Sequence, residues 1–272
     1  MIRWSQVAVN GALAVLAGAA LFPLLWMVSV SLMPANAALH LPPPLLPERV
    51  TLEHYRTLFT QLELARYLGN STLLAGAVTV LSLVFNTLAG YAFAKLRFAG
   101  REPLFRGLLA AMAIPGQVAM LPLFLLLKQL GLINGYGGVI VPGMVGIFGI
   151  FLVRQYALSI PDSLLEAARI DGAGELRIFG SLVLPLLSPI LVTLAIFTFL
   201  GAWSDFMWPL IVLADSDRHT LPVALANLLG EHALDTELMM AGSVLTLLPV
   251  LVLFLALQRY YVEGLVLGSV KE

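Results

Sequence analysis

Glu166, Arg169 and Asp171 are the side chains of this sequence whose types and spacing point to a specific task, and that task is docking. They lie in Ile160–Ala173, the longest run that can form a helix without being a membrane span. Pro161 suits a first helical turn, and Ser163 with Glu166 has the spacing of a capping box. Leu164, Leu165 and Ala168 fall on one small apolar face, which leaves Glu166, Arg169 and Asp171 for water or a partner. Gly172 then supplies a stop, because glycine readily takes the left-handed conformation that ends helices. A short amphipathic helix of this kind either lies on a membrane surface or docks on another subunit. Acids on its polar face argue against an anionic-lipid anchor and for docking.

Covalent chemistry has no equivalent candidate, and no residue is assigned a catalytic or metal-binding role. The lysines are Lys95, Lys128 and Lys271, none preceded by glycine, so the chain has no Walker-type phosphate loop. Neither HExxH nor GxSxG occurs. His40, His54, His219 and His232 lack metal-ligand spacing and read as exposed loop histidines. The absence of cysteine excludes disulfides, iron–sulfur clusters and thiolate zinc sites.

The elements that must position the docking helix are membrane spans. The 272 residues are 60% hydrophobic and 11% charged, against about 25% charged in soluble domains. Six apolar blocks approach the ~20 residues that cross a bilayer: 7–33, 68–96, 104–127, 137–153, 182–200 and 238–257. The first is too long for a signal-peptide core and reads as a retained span. The fifth could run on into the apolar Trp208–Leu213. Basic residues sort by side. Arg3, Lys95, Arg97, Arg101, Arg106, Arg154, Arg169, Arg177, Arg259 and Lys271 fall on one, and Arg49, Arg56, Arg66, Lys128 and Arg218 on the other. Ten against five places both termini and the docking helix in the cytoplasm. A net charge of −1 gives no field suited to nucleic acid.

Within the spans, ionised residues are nearly absent, whereas carriers driven by a coupling ion bury Asp, Glu, His or Lys at mid-membrane. Any driving energy is therefore expected from outside the chain. Asn70, Asn86, Gln117, Trp203, Asp205 and Trp208 are amides, aromatics and one acid that could line a path for a neutral polar solute. Each could equally bridge helices or sit in an aromatic belt. Pro115, Pro122, Pro142, Pro185, Pro189 and Pro249 lie in or beside spans and can kink them. Gly143, Gly146 and Gly149 recur every third residue and permit close backbone approach.

Glu166-Ala167-Ala168, three residues, Gly172, nine residues and Leu182-Val183-Leu184-Pro185 together resemble the signature of binding-protein-dependent ABC importer permeases. Leucine stands where that signature has isoleucine. The resemblance spans nearly the whole chain and is nearest the carbohydrate branch, the maltose-type second permease subunit. Its other carriers include Thr51-Leu52-Glu53-His54-Tyr55, Asn70-Ser71, Gly90-Tyr91-Ala92-Phe93-Ala94, Leu130-Gly131-Leu132-Ile133-Asn134, Trp203-Ser204-Asp205-Phe206, Thr220-Leu221-Pro222-Val223 and Gln258–Leu265.

The resemblance implies an all-α integral membrane protein. Its six transmembrane helices form a single domain over residues 1–272 of a bacterial or archaeal cytoplasmic membrane, with a cytoplasmic coupling helix (160–172) between spans four and five. It implies a pair of ATPase subunits carrying ATP and Mg, a second permease subunit of different sequence, and an external sugar-binding protein as partners. This chain would hold no cofactor and hydrolyse nothing itself. Glu166, Ala167, Ala168, Arg169, Asp171 and Gly172 would couple to the ATPase: the alanines let the helix sit deep, Glu166 meets a basic residue, and Gly172 permits the turn that follows. Import of a non-sugar solute, a stand-alone secondary carrier and a membrane scaffold are the alternatives. The last two would carry no ATPase through purification.

Overall fold

The computed structural model describes residues 4–40, 42–231 and 235–267; Arg3, His232, Lys271 and the tail after Leu267 lie outside the described residues. The chain runs α1 (Trp4–Ser31), α2 (Glu53–Thr60), α3 (Leu64–Lys95), α4 (Arg101–Ala111), α5 (Gly116–Gln129), α6 (Gly137–Gly143) and α7 (Ile147–Leu158). There follow α8 (Asp162–Ile170), α9 (Glu175–Ile178), a π-turn (Phe179–Val183), α10 (Leu184–Leu186), α11 (Ser188–Ser204), α12 (Met207–Val212), α13 (Leu221–Glu231) and α14 (Thr236–Leu267). Among the described residues, four helical stretches are long and apolar enough to cross a membrane, Val9–Ser31, Leu64–Lys95, Gly137–Leu158 and Thr236–Ala256.

The third and fifth apolar blocks are bent, at prolines able to kink a span, and with each taken as one span the total among the described residues is six. The third is α4 and α5 meeting at 105°. Pro115 lies at the break, with ψ 131 and no N–H to continue the ladder. The fifth starts earlier, at Glu175, and turns by 76° between Leu186 and Ser188. Pro185 and Pro189 flank that bend, and the π-turn just before it shows the ladder already out of register. Nor does the fifth run on into Trp208–Leu213. Asp205 is extended (φ −70, ψ 120), and α12 is a separate helix.

One compact unit comprises residues 68–220 with the end of α14. Its spine is α3 lying against α6 and α7. A Cβ on Gly143 would come 3.0 Å from Val78, one on Gly149 2.5 Å from Asn86 Nδ2, and one on Gly90 2.7 Å from Val153. The glycine spacing thus does permit close approach, but α6 and α7 are not continuous there. The chain breaks at Gly146 (φ −128, ψ 129), and Asn86 Oδ1 accepts the freed Gly146 N–H at 3.0 Å. Asn86 Nδ2 donates to Ser82 Oγ at 2.6 Å, so the amide is engaged at both ends in a site 1% exposed. An uncompensated N–H at membrane depth costs several kcal/mol, and this side chain supplies its partner.

The other unit comprises residues up to Tyr67 with Leu221–Leu251. Here the Pro-rich stretch after α1 folds back on that helix. Trp26 Nε1 donates to Pro44 O at 3.3 Å, Ser29 Oγ to Leu45 O at 2.6 Å, and Ser31 Oγ bonds Tyr55 Oη at 2.7 Å. Glu237, fully buried at the start of α14, accepts the Ala38 N–H at 2.8 Å. His54 corrects the expectation of exposed histidines: it is buried, bonded to Met33 O at 2.9 Å, with Asp235 4.0 Å away. Its place on α2, beside the end of α1, makes it a packing residue.

Two outcomes follow. Gly90→Leu must push Val153 and the Arg154 backbone aside, and should lower stability by about 1–3 kcal/mol, read as a fall in Tm in detergent. Asn86→Leu fills the same volume but strands the Gly146 N–H, and should cost about 1–3 kcal/mol, seen as faster hydrogen exchange confined to residues 144–150.

Candidate functional site

The amphipathic helix forms where the sequence places it and is built differently at its start. Pro161 is the N-cap (φ −61, ψ 132), no side chain caps the first turn, and helix begins at Asp162. The expected capping box is therefore absent: Ser163 and Glu166 fall inside the helix, one turn apart, and both are exposed. Lys95 does the anchoring instead. Its Nζ, at the end of α3, donates to Ile160 O at 2.6 Å and to Asp162 Oδ1 at 2.6 Å. The Lys95 side chain is only 4% exposed, so those two acceptors are what make its burial tolerable. The hydrogen-bonded ammonium in turn holds the Asp162 carboxyl below the usual aspartate range. Its share of stability is thus complete above the ordinary aspartate value and is lost only as pH falls through the depressed one.

The far end closes as the sequence indicates. Gly172 has φ +82, the Gly172 N–H bonds Arg169 O and the Ala173 N–H bonds Ala168 O, both at 3.0 Å. That pair of bonds is a Schellman motif. Nothing lies within 4 Å of a Cβ at Gly172, so backbone conformation and not space demands glycine.

The inner face is narrower than expected. Leu165 is 1% exposed and Ala168 half-buried, both against a core of Tyr91, Val153, Ala157, Ile178 and Val183, while Leu164 stays 39% exposed. Ala168 therefore packs on its own chain, and Ala167 faces out. Arg169 is not free: its Nε donates to Glu175 Oε1 at 2.7 Å, and the Tyr91 hydroxyl donates to Glu175 Oε2 at 3.2 Å. What remains outward is Ser163, Glu166, Ala167, Ile170 and Asp171. Ile170, 86% exposed and one turn after Glu166, escaped the sequence reading. Its signal was there, on the face away from Leu165.

A second feature of this unit is a cavity of about 380 Å³. Gly116, Met120, Gly143, Thr198, Gly201, Asp205, Trp208 and Thr220 are among its lining residues. Of the six path candidates, Asp205 and Trp208 line it. Asp205 Oδ1 accepts the Trp208 N–H at 3.3 Å, capping α12, and the Trp208 indole donates to Gly138 O at 3.0 Å. The indole N–H is thereby committed to the chain itself.

The other four lie outside that lining. Asn70 donates to Asp217 O and His219 O, each at 2.9 Å, and accepts from Tyr136 Oη at 2.7 Å. Asn86 holds the 144–146 break. Trp203 is 1% exposed and stacked on Phe199, with ring centroids 5.8 Å apart, and Gln117 is exposed in the first turn of α5. Asn134 works much as Asn70 does: at φ 58 it accepts the N–H groups of Ala214 and Asp215, both at 3.0 Å, and its carbonyl takes an Arg218 bond. Thr198 and Gly201 are lining residues that carry no sequence signal, and Thr220 belongs to a stretch that carried the resemblance but was given no place on the path.

Comparison with known proteins accounts for this combination. Residues 86–265 match the model of binding-protein-dependent transport system inner membrane components. The chain is 40% identical to the arabinooligosaccharides transport system permease protein AraQ of Halalkalibacterium halodurans, over 95% of this chain and 94% of that one. It is 32% identical to the lactose transport system permease protein LacG of Rhizobium radiobacter, over 80% of each. A crystal structure of a bacterial ABC transporter involved in the import of the acidic polysaccharide alginate contains a chain with the same fold. The TM-score is 0.86 at 25% identity, covering 96% of this chain and 99% of that one. A membrane-embedded all-helical chain with an outward-facing amphipathic helix and no nucleotide motif thus belongs to the family of binding-protein-dependent transport system inner membrane components.

Proposed function

We propose that this chain is one of two membrane subunits of an ATP-driven importer, and that its solute is a sugar delivered by an extracytoplasmic binding protein. The observation that carries the reading is α8. It is an exposed helix bearing Glu166, Ala167 and Ile170, held at both ends by its own chain, in a protein that has no nucleotide loop. A separate ATPase pair, carrying ATP and Mg, would grip that face. Closure of the pair would draw α8 and the spans behind it from an inward-open to an outward-open arrangement. The distribution of Lys and Arg supports placing α8 and both termini in the cytoplasm of a bacterium or archaeon. The partner permease is read as a different chain.

A sugar is supported by 40% identity to a permease named for arabinooligosaccharides and 32% to one named for lactose. A relative from Yersinia pestis, 35% identical over 72% of this chain, is named for sn-glycerol-3-phosphate, which keeps polyol derivatives within the class. We assign the solute path to Asp205 and Trp208 first, since a carboxylate and an aromatic face suit a neutral polyol. Gln117 belongs beside them at the start of α5. Asn70, Asn86 and Trp203 act on that path through packing.

Purified with its neighbours, the chain should bring an ATPase through detergent, and mass spectrometry of the complex would identify it. Glu166→Lys should reduce ATP-dependent arabinooligosaccharide uptake at least tenfold with membrane insertion unchanged; wild-type uptake in a well-expressed variant would count against α8 as the contact. Gly172→Val forces a β-branched residue to φ +82, at about 1–2 kcal/mol or more, and should abolish uptake by unwinding the end of α8.

A further inference from the structure

We propose that Lys95 and Asp162 are positioning residues, a charged clasp that makes α8 a rigid extension of α3 so that movement imposed on α8 reaches the cavity wall. This rests on the reading of α8 as the element an ATPase grips. α8 is nine residues long, and a helix of that size has little rigidity of its own in water. Pro161 before it and Gly172 after it are points where the chain could swivel, since neither continues a helical ladder. The Lys95 ammonium closes the first swivel by bonding the last carbonyl before Pro161 and the first carboxylate after it. Glu175 closes the second, holding Arg169 of α8 and Tyr91 of α3 together.

Both clasps thus reach α3 within residues 91–95, one helical turn. From there the α3 spine runs through Gly90 against Val153, Asn86 against Gly149 and Val78 against Gly143. Val78 and Gly143 line the cavity. The path from α8 to the cavity is therefore one continuous helix with tight contacts along it. The Lys95 clasp is the joint that fixes its end to the moving part.

The sequence contains no cysteine, so Thr198→Cys gives this chain a single labelling site at the cavity, read on its own band after the subunits are separated. In the complex purified with its own ATPase, the maleimide labelling rate of that cysteine would be measured without nucleotide and with Mg-ATP plus vanadate. We expect at least a fivefold difference between the two states in the otherwise unaltered chain. Lys95→Met should reduce the difference to below twofold with the ATPase still bound, and Lys95→Arg should restore at least half of it. Asp162→Ala removes the exposed partner and leaves Lys95 its bond to Ile160 O, and should have the same effect as Lys95→Met.

A full nucleotide response in both Asp162→Ala and Lys95→Met would overturn the proposal. So would loss of the ATPase from Asp162→Ala, because Asp162 would then be a contact with the partner. An unaltered chain that retains no ATPase would instead sink the reading of α8 itself, and that result is visible before any clasp variant is made.

Discussion

Close packing of α3 on α6 and α7 is the constraint on which the rest of the larger unit depends. Apolar side chains gain little from one another where the surroundings are equally apolar, so helices in a bilayer associate through tight backbone approach and a few hydrogen bonds. Gly90, Gly143 and Gly149 provide the approach, and the Asn86 amide provides the bonds. The same amide allows the chain to break at 144–146 without leaving a bare N–H. A break at that depth and a tight interface are normally in conflict, and one side chain reconciles them.

At its end, the spine passes into a polar region with different physics. Burial there is shallow, charges are partly solvated, and ion pairs hold elements by orientation more than by energy. Lys95 departs from this, being almost wholly buried while its partner is exposed, and Arg154 with Glu102 does so less fully. Arg154 reinforces the neighbourhood: it lies 4.0 Å over the Phe105 ring, donates to Phe93 O at 3.3 Å and approaches Glu102 at 3.6 Å. α3, α4 and α7 are thereby tied to one another at the end where α8 attaches.

The sequence made the α8 segment and its glycine stop legible because both depend on contacts within one or two turns. The apolar blocks were legible as well, since crossing a bilayer fixes length and composition together. The bends were only half visible. Prolines mark where a helix can turn, but the 105° and 76° angles depend on what packs beside Pro115 and Pro185. The roles of polar residues were the least accessible. Asn70, Asn86 and Asn134 bond groups 147, 60 and 80 positions away, respectively, and residue type alone cannot separate such a tie from a solute contact. Arg169 has a tie of the same kind to Glu175, six positions on. Lys95 looked like one more positive charge at the end of a span, with nothing in its local sequence to connect it to Asp162, 67 positions on.

Ile170 leaves a bare hydrocarbon surface on a helix that is otherwise well satisfied. Covering such a side chain is worth about 1.5–3 kcal/mol, a sizeable part of the roughly 5–15 kcal/mol net stability of a folded protein. On the proposed docking of α8 to an ATPase, a copy made without that partner keeps the surface wet, and so is prone to stick to other orphans. Balanced synthesis of the subunits is then a matter of solubility as much as of stoichiometry.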